Sequence, residues 1–145
     1  MNISNHLFAH YIILIPISAW FTAVILKGFY GLHTKNFSVS QTLGSGGMPS
    51  VHSALVTSIT TALGIKYGVF SDIFTIAIVF SMIIIYDAIN VRFEAGLHAK
   101  ALNELNCNHD KPTNYNFNES IWHLPEEAFA GSVIGIIVAM VLMNL

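Results

Sequence analysis

The chain has 145 residues, of which 54% are hydrophobic and 10% are charged, and its mean hydropathy is +0.62. A soluble domain normally carries about 25% charged residues, so this composition excludes an ordinary soluble domain and indicates an integral membrane protein. The formal net charge of −2 gives no long-range attraction to nucleic acid, and the single cysteine excludes an internal disulfide. We therefore expect membrane lipid, and no nucleic acid, as a partner.

Four apolar segments are each close to the roughly 20 residues that cross a hydrocarbon core, where only helices and closed barrels satisfy their own backbone groups. They predict an all-α bundle of about four transmembrane helices in one domain, residues 1–145. The first segment precedes no small-residue cleavage site, so we predict an uncleaved helix. The predicted spans are residues 7–26, 51–67, 73–91 and 128–145, with loops 28–50 and 92–127 at one membrane face.

A polar cluster lies at one end of each predicted span, and alternating spans place all four clusters at the same membrane face. The clusters are Lys27 and residues 49–52, 87–92 and 123–127. This face would also carry every lysine and arginine except Lys66, so the positive-inside bias predicts that it is cytoplasmic. A membrane protein that gathers cations and two histidines at one surface has the character of an anion site.

The loop before the second span is rich in glycine over residues 44–50 and ends at Ser50. Glycines let backbone N–H groups approach a ligand, Ser50 can cap the next helix, and a helix N-terminus attracts anions. These features predict a phosphate cradle, and a simple glycine loop with a serine cap is the alternative. His52 favours the cradle, because an ionisable ring at a membrane interface is costly without a partner or a function.

Small residues recur every four positions on the second and fourth spans, which predicts that these two helices pack closely together. Their N-terminal ends would then bring His52 and His123 together. The stripes are Ala54, Ser58 and Ala62 on the second span and Gly131, Gly135 and Ala139 on the fourth.

The last cluster begins with His123 and continues with Pro125 and two acids. Proline and acids are typical of a helix start, and they account for this part of the cluster without any chemistry. Glu127, four residues after His123, can also accept a hydrogen bond from the ring. That bond would fix the tautomer that leaves the other ring nitrogen free to attack phosphorus.

These residues carry a resemblance to a known family. The segment 47–54, the segment 86–92, and His123 followed by Pro125, Glu127 and Gly131 resemble the divergent branch of the type 2 phosphatidic acid phosphatase and vanadium haloperoxidase superfamily. The resemblance runs from about Lys27 to the C-terminus. It implies a phosphatase that uses no metal or cofactor and forms a phosphohistidine.

The resemblance also implies roles for individual residues. His123 corresponds to the nucleophile, His52 to the general acid and Glu127 to the acid that orients the nucleophile. The expected phosphate-binding residues are Lys27, Arg92, Gly47 and Ser50, with Asp87 and Lys35 as supporting residues.

Three departures from the superfamily pattern leave a second hypothesis open. Val51 stands where the superfamily has glycine, Phe117 stands where it has an arginine, and no Arg-Pro pair follows Lys27. Arg92 is the candidate replacement for the missing arginine. The alternative is a non-catalytic membrane protein that keeps the fold and binds an anionic lipid or a partner protein. An ion transporter is less favoured, because residues 73–86 and 128–145 contain no acid for a relay.

A site at the membrane surface favours an amphiphilic substrate whose phosphate lies at headgroup level. We expect a lipid phosphomonoester or an isoprenoid diphosphate, in a bacterial inner or plasma membrane. The sequence leaves the oligomeric state open, including a homo-oligomer. A metal site formed by Cys107, His109 and Asp110 with His98 is disfavoured, since the spacing is local and no second cysteine exists.

Overall fold

The computed structural model describes residues 12–34, 47–107, 114–119 and 121–145, and these residues form helices and irregular segments without any strand. A π-helical turn, Asp87–Val91, joins α3 directly to α4. The fold is therefore all-α, as the composition predicted. The α-helices are α1 (Leu14–His33), α2 (Val51–Tyr67), α3 (Asp72–Tyr86), α4 (Arg92–Cys107) and α5 (Pro125–Asn144).

Three helical stretches among the described residues are long and apolar enough to cross a membrane: α1, the continuous helix Asp72–Cys107, and α5. The remaining long helix, α2, has 17 residues, which is at the short end of the range for a span. α2 packs against α1, α3 and α5 and is thus the central helix. This arrangement confirms the predicted helical membrane bundle.

Two of the predicted loop regions are partly helical. α1 continues to His33, seven residues beyond the predicted end of the first span, so Lys27 lies inside a helix and is only 5% exposed. The first charged residue was a poor marker of the helix end, because neighbouring residues bury this lysine. α4 extends the third span to Cys107, where good helix formers such as alanine and leucine follow the turn. Residues 7–11 of the first predicted span, Lys35 and residues 44–46 lie outside the described residues.

The small-residue stripes pack α2 closely against α5, which confirms the predicted pairing. A Cβ atom added to Gly131 would overlap the carbonyl group of Ser50, and one added to Gly135 would overlap Thr57 and the carbonyl of Ala54. Glycine is therefore required for this separation of the two backbones. The Thr57 hydroxyl also donates a hydrogen bond to the Ser132 carbonyl across the same contact, at 3.1 Å.

Buried hydroxyl groups join α2 to α3. The Thr60 and Ser81 hydroxyl oxygens lie 2.7 Å apart, and Ser81 also donates to the Val56 carbonyl at 3.2 Å. Inside a membrane bundle such bonds satisfy polar groups that lipid cannot, and they hold two helices in register. This contact fixes the position of α3 and hence of the π-helical turn that follows it.

The chain returns towards α5 as an irregular segment, residues 114–119 and 121–124, here called the strap. The strap runs antiparallel to α4 and is fastened to it by side-chain amides. The Asn103 amide donates to the Phe117 carbonyl at 3.0 Å and its oxygen accepts from the Phe117 amide at 2.8 Å. Asn106 donates to the Tyr115 carbonyl at 3.3 Å. His123 is the second-last residue of the strap, so α4 helps to determine where this histidine lies.

Candidate active site

His123 is held at the last turn of the strap by its backbone and by its ring. Its amide donates to the Ala88 carbonyl in the π-helical turn at 3.1 Å, and its Nδ1 atom lies 2.9 Å from Glu127 Oε2. The same carboxylate oxygen accepts a hydrogen bond from the Leu124 amide at 3.2 Å. An ionised Glu127 accepts a hydrogen bond from Nδ1–H, so the free lone pair of the imidazole is on Nε2. The structure therefore contains the hydrogen bond that the spacing of these two residues predicted.

Trp122 anchors the strap immediately before His123. Its ring contacts Gly96 of α4 so closely that a Cβ atom on this glycine would lie 2.8 Å from the ring. The ring also meets the Phe93 ring edge to face, with centroids 5.0 Å apart. The position of His123 thus depends on α4 as well as on α5.

His52, in the first turn of α2, faces His123. The two ring centroids lie 6.0 Å apart, which confirms that the α2–α5 contact brings the imidazoles together. His52 Nδ1 and His123 Nε2 are both buried, and neither has a hydrogen-bond partner among the described residues. Buried polar atoms without partners are rare in native proteins, and each calls for an explanation such as a bound ligand or a catalytic role. His123 itself is 1% exposed.

Ser50 caps α2 and links it to α5. Its hydroxyl accepts from the Ser53 amide at 3.3 Å, and its own amide donates to the Glu127 carbonyl at 2.9 Å. The Ser50 amide is thus engaged in the protein fold and is not free to bind a phosphate, whereas the Val51 and His52 amides in the first turn of α2 have no partner within the helix. A role for the Ser50 hydroxyl in phosphate binding stays a prediction.

Lys27 reaches the start of α2 from α1, because Gly47 has no side chain. Gly47 has a φ angle of +95°, in the left-handed region that favours glycine, and a Cβ atom there would lie 3.2 Å from Lys27 Cε. The charge of Glu127 acts on the Lys27 ammonium group. Lys27 therefore lies beside Gly47, and its ammonium group is attracted by the Glu127 carboxylate.

Arg92 and Asp87 come from the two ends of the π-helical turn and form an ion pair. Arg92 Nε donates to Asp87 Oδ2 at 2.9 Å, and the two side chains are 32% and 41% exposed. The turn between them also accepts the His123 backbone hydrogen bond at the Ala88 carbonyl, so the ion pair lies at the end of the bundle that carries His123. The structure thus brings two of the predicted cations, Lys27 and Arg92, to the same end of the bundle as the two histidines and the acids Asp87 and Glu127.

The remaining predictions fall outside this cluster. Lys35, His109 and Asp110 lie outside the described residues, whereas His98 and Cys107 are exposed on α4. Within the described ranges, no group of three or more histidine, cysteine, aspartate or glutamate residues is arranged to hold a metal ion.

Two contributors to this site carried no signal in the sequence. The first is the Ala88 carbonyl, which is a backbone group. The second is the fully buried Ser53, whose hydroxyl oxygen lies 3.1 Å from that of Ser50 and whose sequence surroundings are those of an ordinary helix. Only the assembled fold identifies them, because neither residue type marks a site by itself.

Comparison with known proteins identifies the family to which the chain belongs. The model of the Divergent PAP2 family matches residues 8–138. The uncharacterized membrane protein YuiD of Bacillus subtilis (strain 168) is 29% identical over an alignment of 136 residues, which covers 84% of this chain and 86% of the relative. No solved structure matches the chain. Because the family model spans most of its length, and in agreement with the resemblance seen in its motifs, this membrane protein belongs to the Divergent PAP2 family.

Proposed function

We propose that the protein is a metal-independent phosphatase that hydrolyses a membrane lipid phosphate through a phosphohistidine on His123. The observation that carries this proposal is the state of the His123 ring. One nitrogen is bonded to Glu127 and the other is buried without a partner among the described residues, beside a second histidine. A nucleophile oriented by a carboxylate and paired with an acid–base group is the arrangement that covalent catalysis requires.

In the first step, His123 Nε2 attacks phosphorus and the bond from phosphorus to the ester oxygen breaks. Protonated His52 gives its proton to the departing oxygen, so a lipid phosphomonoester releases a neutral alcohol and an isoprenoid diphosphate releases the isoprenoid monophosphate. Glu127 stabilises the positive charge that develops on the phosphorylated ring, as a carboxylate does for an imidazolium in acyl-transfer enzymes.

In the second step, water attacks the phosphohistidine and His52, now neutral, accepts a proton from this water. The bond from phosphorus to nitrogen breaks, inorganic phosphate leaves, and both histidines return to their starting states. Lys27 and Arg92 would offset the charge on the phosphoryl oxygens in both steps. Prearranged electrostatic groups of this kind are worth about 3 to 4 kcal/mol each in other enzymes.

The substrate class follows from the position of the site at one end of a membrane bundle. A lipid phosphomonoester or an isoprenoid diphosphate would present its phosphate at this level while its chains stay in the bilayer. We further propose that the protein lies in a bacterial inner or plasma membrane with the site on the cytoplasmic face, because the cations gather on that side.

A second candidate function is lipid or partner-protein binding without turnover. It is favoured by Val51, which places a side chain where the superfamily has glycine, and by Phe117, which places an apolar ring where it has an arginine. In this case the same cluster would bind an anion, and no phosphohistidine would form.

Phosphate release from a panel of lipid phosphates and isoprenoid diphosphates, measured in detergent with EDTA present, separates the two functions. The phosphatase proposal predicts release that survives chelation, falls to background in His123→Ala, and falls by about 10²- to 10⁴-fold in His52→Ala. His98→Ala is the matched control, because His98 is exposed on α4 away from the cluster, and it should keep full activity. Folded parent protein that binds vanadate but releases no phosphate would support the non-catalytic function, and release unaffected by His123→Ala would refute the assignment of the nucleophile.

A further inference from the structure

The π-helical turn gives the ion pair between Asp87 and Arg92 its geometry. The Arg92 amide donates to the Asp87 carbonyl, which is the hydrogen bond between residues i and i+5 that defines a π-helix. In an α-helix of 3.6 residues per turn, residues five apart would lie about 140° apart around the axis and their side chains would diverge. The wider turn brings the two side chains to the same side, where Nε and Oδ2 are 2.9 Å apart.

We propose that Asp87 is a positioning residue that, through this turn, directs the Arg92 guanidinium towards the phosphate bound between His52 and His123. The inference rests on the proposed function, because it concerns the same site. Asp87 accepts the hydrogen bond from Arg92 Nε–H, so the donors that remain on Arg92 are its two terminal amino groups. This is the pair that can bind two phosphate oxygens in a fork.

The surroundings of the turn support a role at the site. The turn carries Asp87 and Arg92 at the end of the bundle where His123 lies. Ala88, the residue after Asp87, accepts the backbone hydrogen bond of His123. One short turn thus fixes both the arginine and the nucleophile. The strap has the uncharged Phe117 at the sequence position where the superfamily has an arginine, and Arg92 brings a cation from a different element.

A purely stabilising role for the pair is a poor explanation of these contacts. Both side chains are about one third exposed or more, and ion pairs with this exposure contribute little to folding stability. π-helical turns are frequent at functional sites, where they redirect side chains. Removing Asp87 should therefore affect phosphate more than it affects the fold.

A double-mutant cycle tests the proposal, with two measurements on detergent-purified protein: the Kd for inorganic phosphate and for vanadate by titration calorimetry, and kcat and KM for phosphate release. The proteins are the parent, Asp87→Ala, Arg92→Ala and the double variant. Glu94→Ala is the matched control, since it removes an exposed acid from α4 two residues beyond Arg92. We expect Asp87→Ala to weaken phosphate binding and lower kcat/KM by about tenfold in the parent, within the range of coupling between contacting residues. In the Arg92→Ala background the same substitution should change neither quantity by more than about twofold.

Equal losses in both backgrounds, or no loss from Asp87→Ala in the parent, would overturn the positioning role. These results are separate from those that decide the proposed function. If the parent binds inorganic phosphate but releases none from any lipid phosphate, the phosphatase proposal is refuted. The Kd values would still decide the role of Asp87. A parent that neither binds nor releases phosphate would refute both proposals.

Discussion

At the scale of single residues, the His123 ring is the centre of the account. His123 is 1% exposed, and its Nδ1 is bonded to Glu127. Its Nε2 has no hydrogen-bond partner in the part of the chain that the structure describes. An inert core histidine would normally satisfy both of its nitrogens, because a buried polar atom without a partner costs about 1 to 3 kcal/mol. The ring of a second histidine, His52, has its centroid 6.0 Å away, and its Nδ1 is likewise buried without a partner among the described residues. Two buried nitrogens without such partners, one on each of two neighbouring rings, indicate a place for a ligand.

The carboxylate of Glu127 can be tested separately from the ring. Glu127→Gln keeps the size of the side chain but removes the charge that favours Nδ1–H and the phosphorylated ring. We expect kcat to fall by about 100-fold or more, in line with the cost of losing an orienting acid or a general base elsewhere.

Glu126→Gln provides the control for this substitution. Glu126 is the neighbouring acid in the same first turn of α5 and is exposed. It should keep parental kcat and the same melting temperature. Equal activity of Glu127→Gln and Glu126→Gln, measured by steady-state phosphate release, would show that the bond between His123 and Glu127 has no part in turnover.

At the scale of elements, the sequence predicted helices best where their ends are marked by local chemistry. The bounds of α2 agree with the prediction because Ser50 caps its start and Gly68, with a φ angle of +89°, ends it. The α2–α5 contact was also predictable, since small residues spaced by four leave little doubt about which faces approach. That contact is what places His52 beside His123.

Other elements could not be predicted because tertiary contacts decide them. The π-helical turn is only five residues long within a continuous helix, so it shows no periodicity of its own in the sequence. The strap depends on hydrogen bonds between the Asn103 side chain and the backbone of Phe117, 14 residues away. Asparagine is common in loops, so the residue type alone does not reveal such a contact. Lys27 was assigned to the end of its span, although burial against Gly47 allows it to lie within α1. The types of the site residues were therefore predictable, whereas the element that delivers each of them was only partly so.

At the scale of the whole molecule, the polar cluster and the apolar surface are separated. Large exposed side chains on the spans, such as Ile76, Met82 and Phe129, suit contact with lipid chains. The continuous helix Asp72–Cys107 has 36 residues, which corresponds to about 54 Å, whereas a hydrocarbon core is about 30 Å thick. Since the site lies near the π-helical turn within this helix, α4 would extend beyond the hydrocarbon core on the site side.

The single cysteine makes the membrane orientation measurable. Cys107 is exposed at the end of α4, on the side of the site. If that side is cytoplasmic, a membrane-impermeant maleimide should label it in inverted vesicles and leave it unlabelled in intact cells. Phe70→Cys in a Cys107→Ser background should show the opposite pattern, because Phe70 is 99% exposed in the turn between α2 and α3. Labelling of Cys107 in intact cells would reverse the proposed topology.

Capture of the covalent intermediate decides whether His123 is the nucleophile. Purified protein is mixed with a radiolabelled lipid phosphate that it turns over, denatured within the steady state, and analysed for label that resists base and is lost in acid, as expected for a phosphohistidine. We expect the label to lie on His123 and to be absent from His123→Ala. Turnover by the parent with no such label, or with label on another residue, would contradict it.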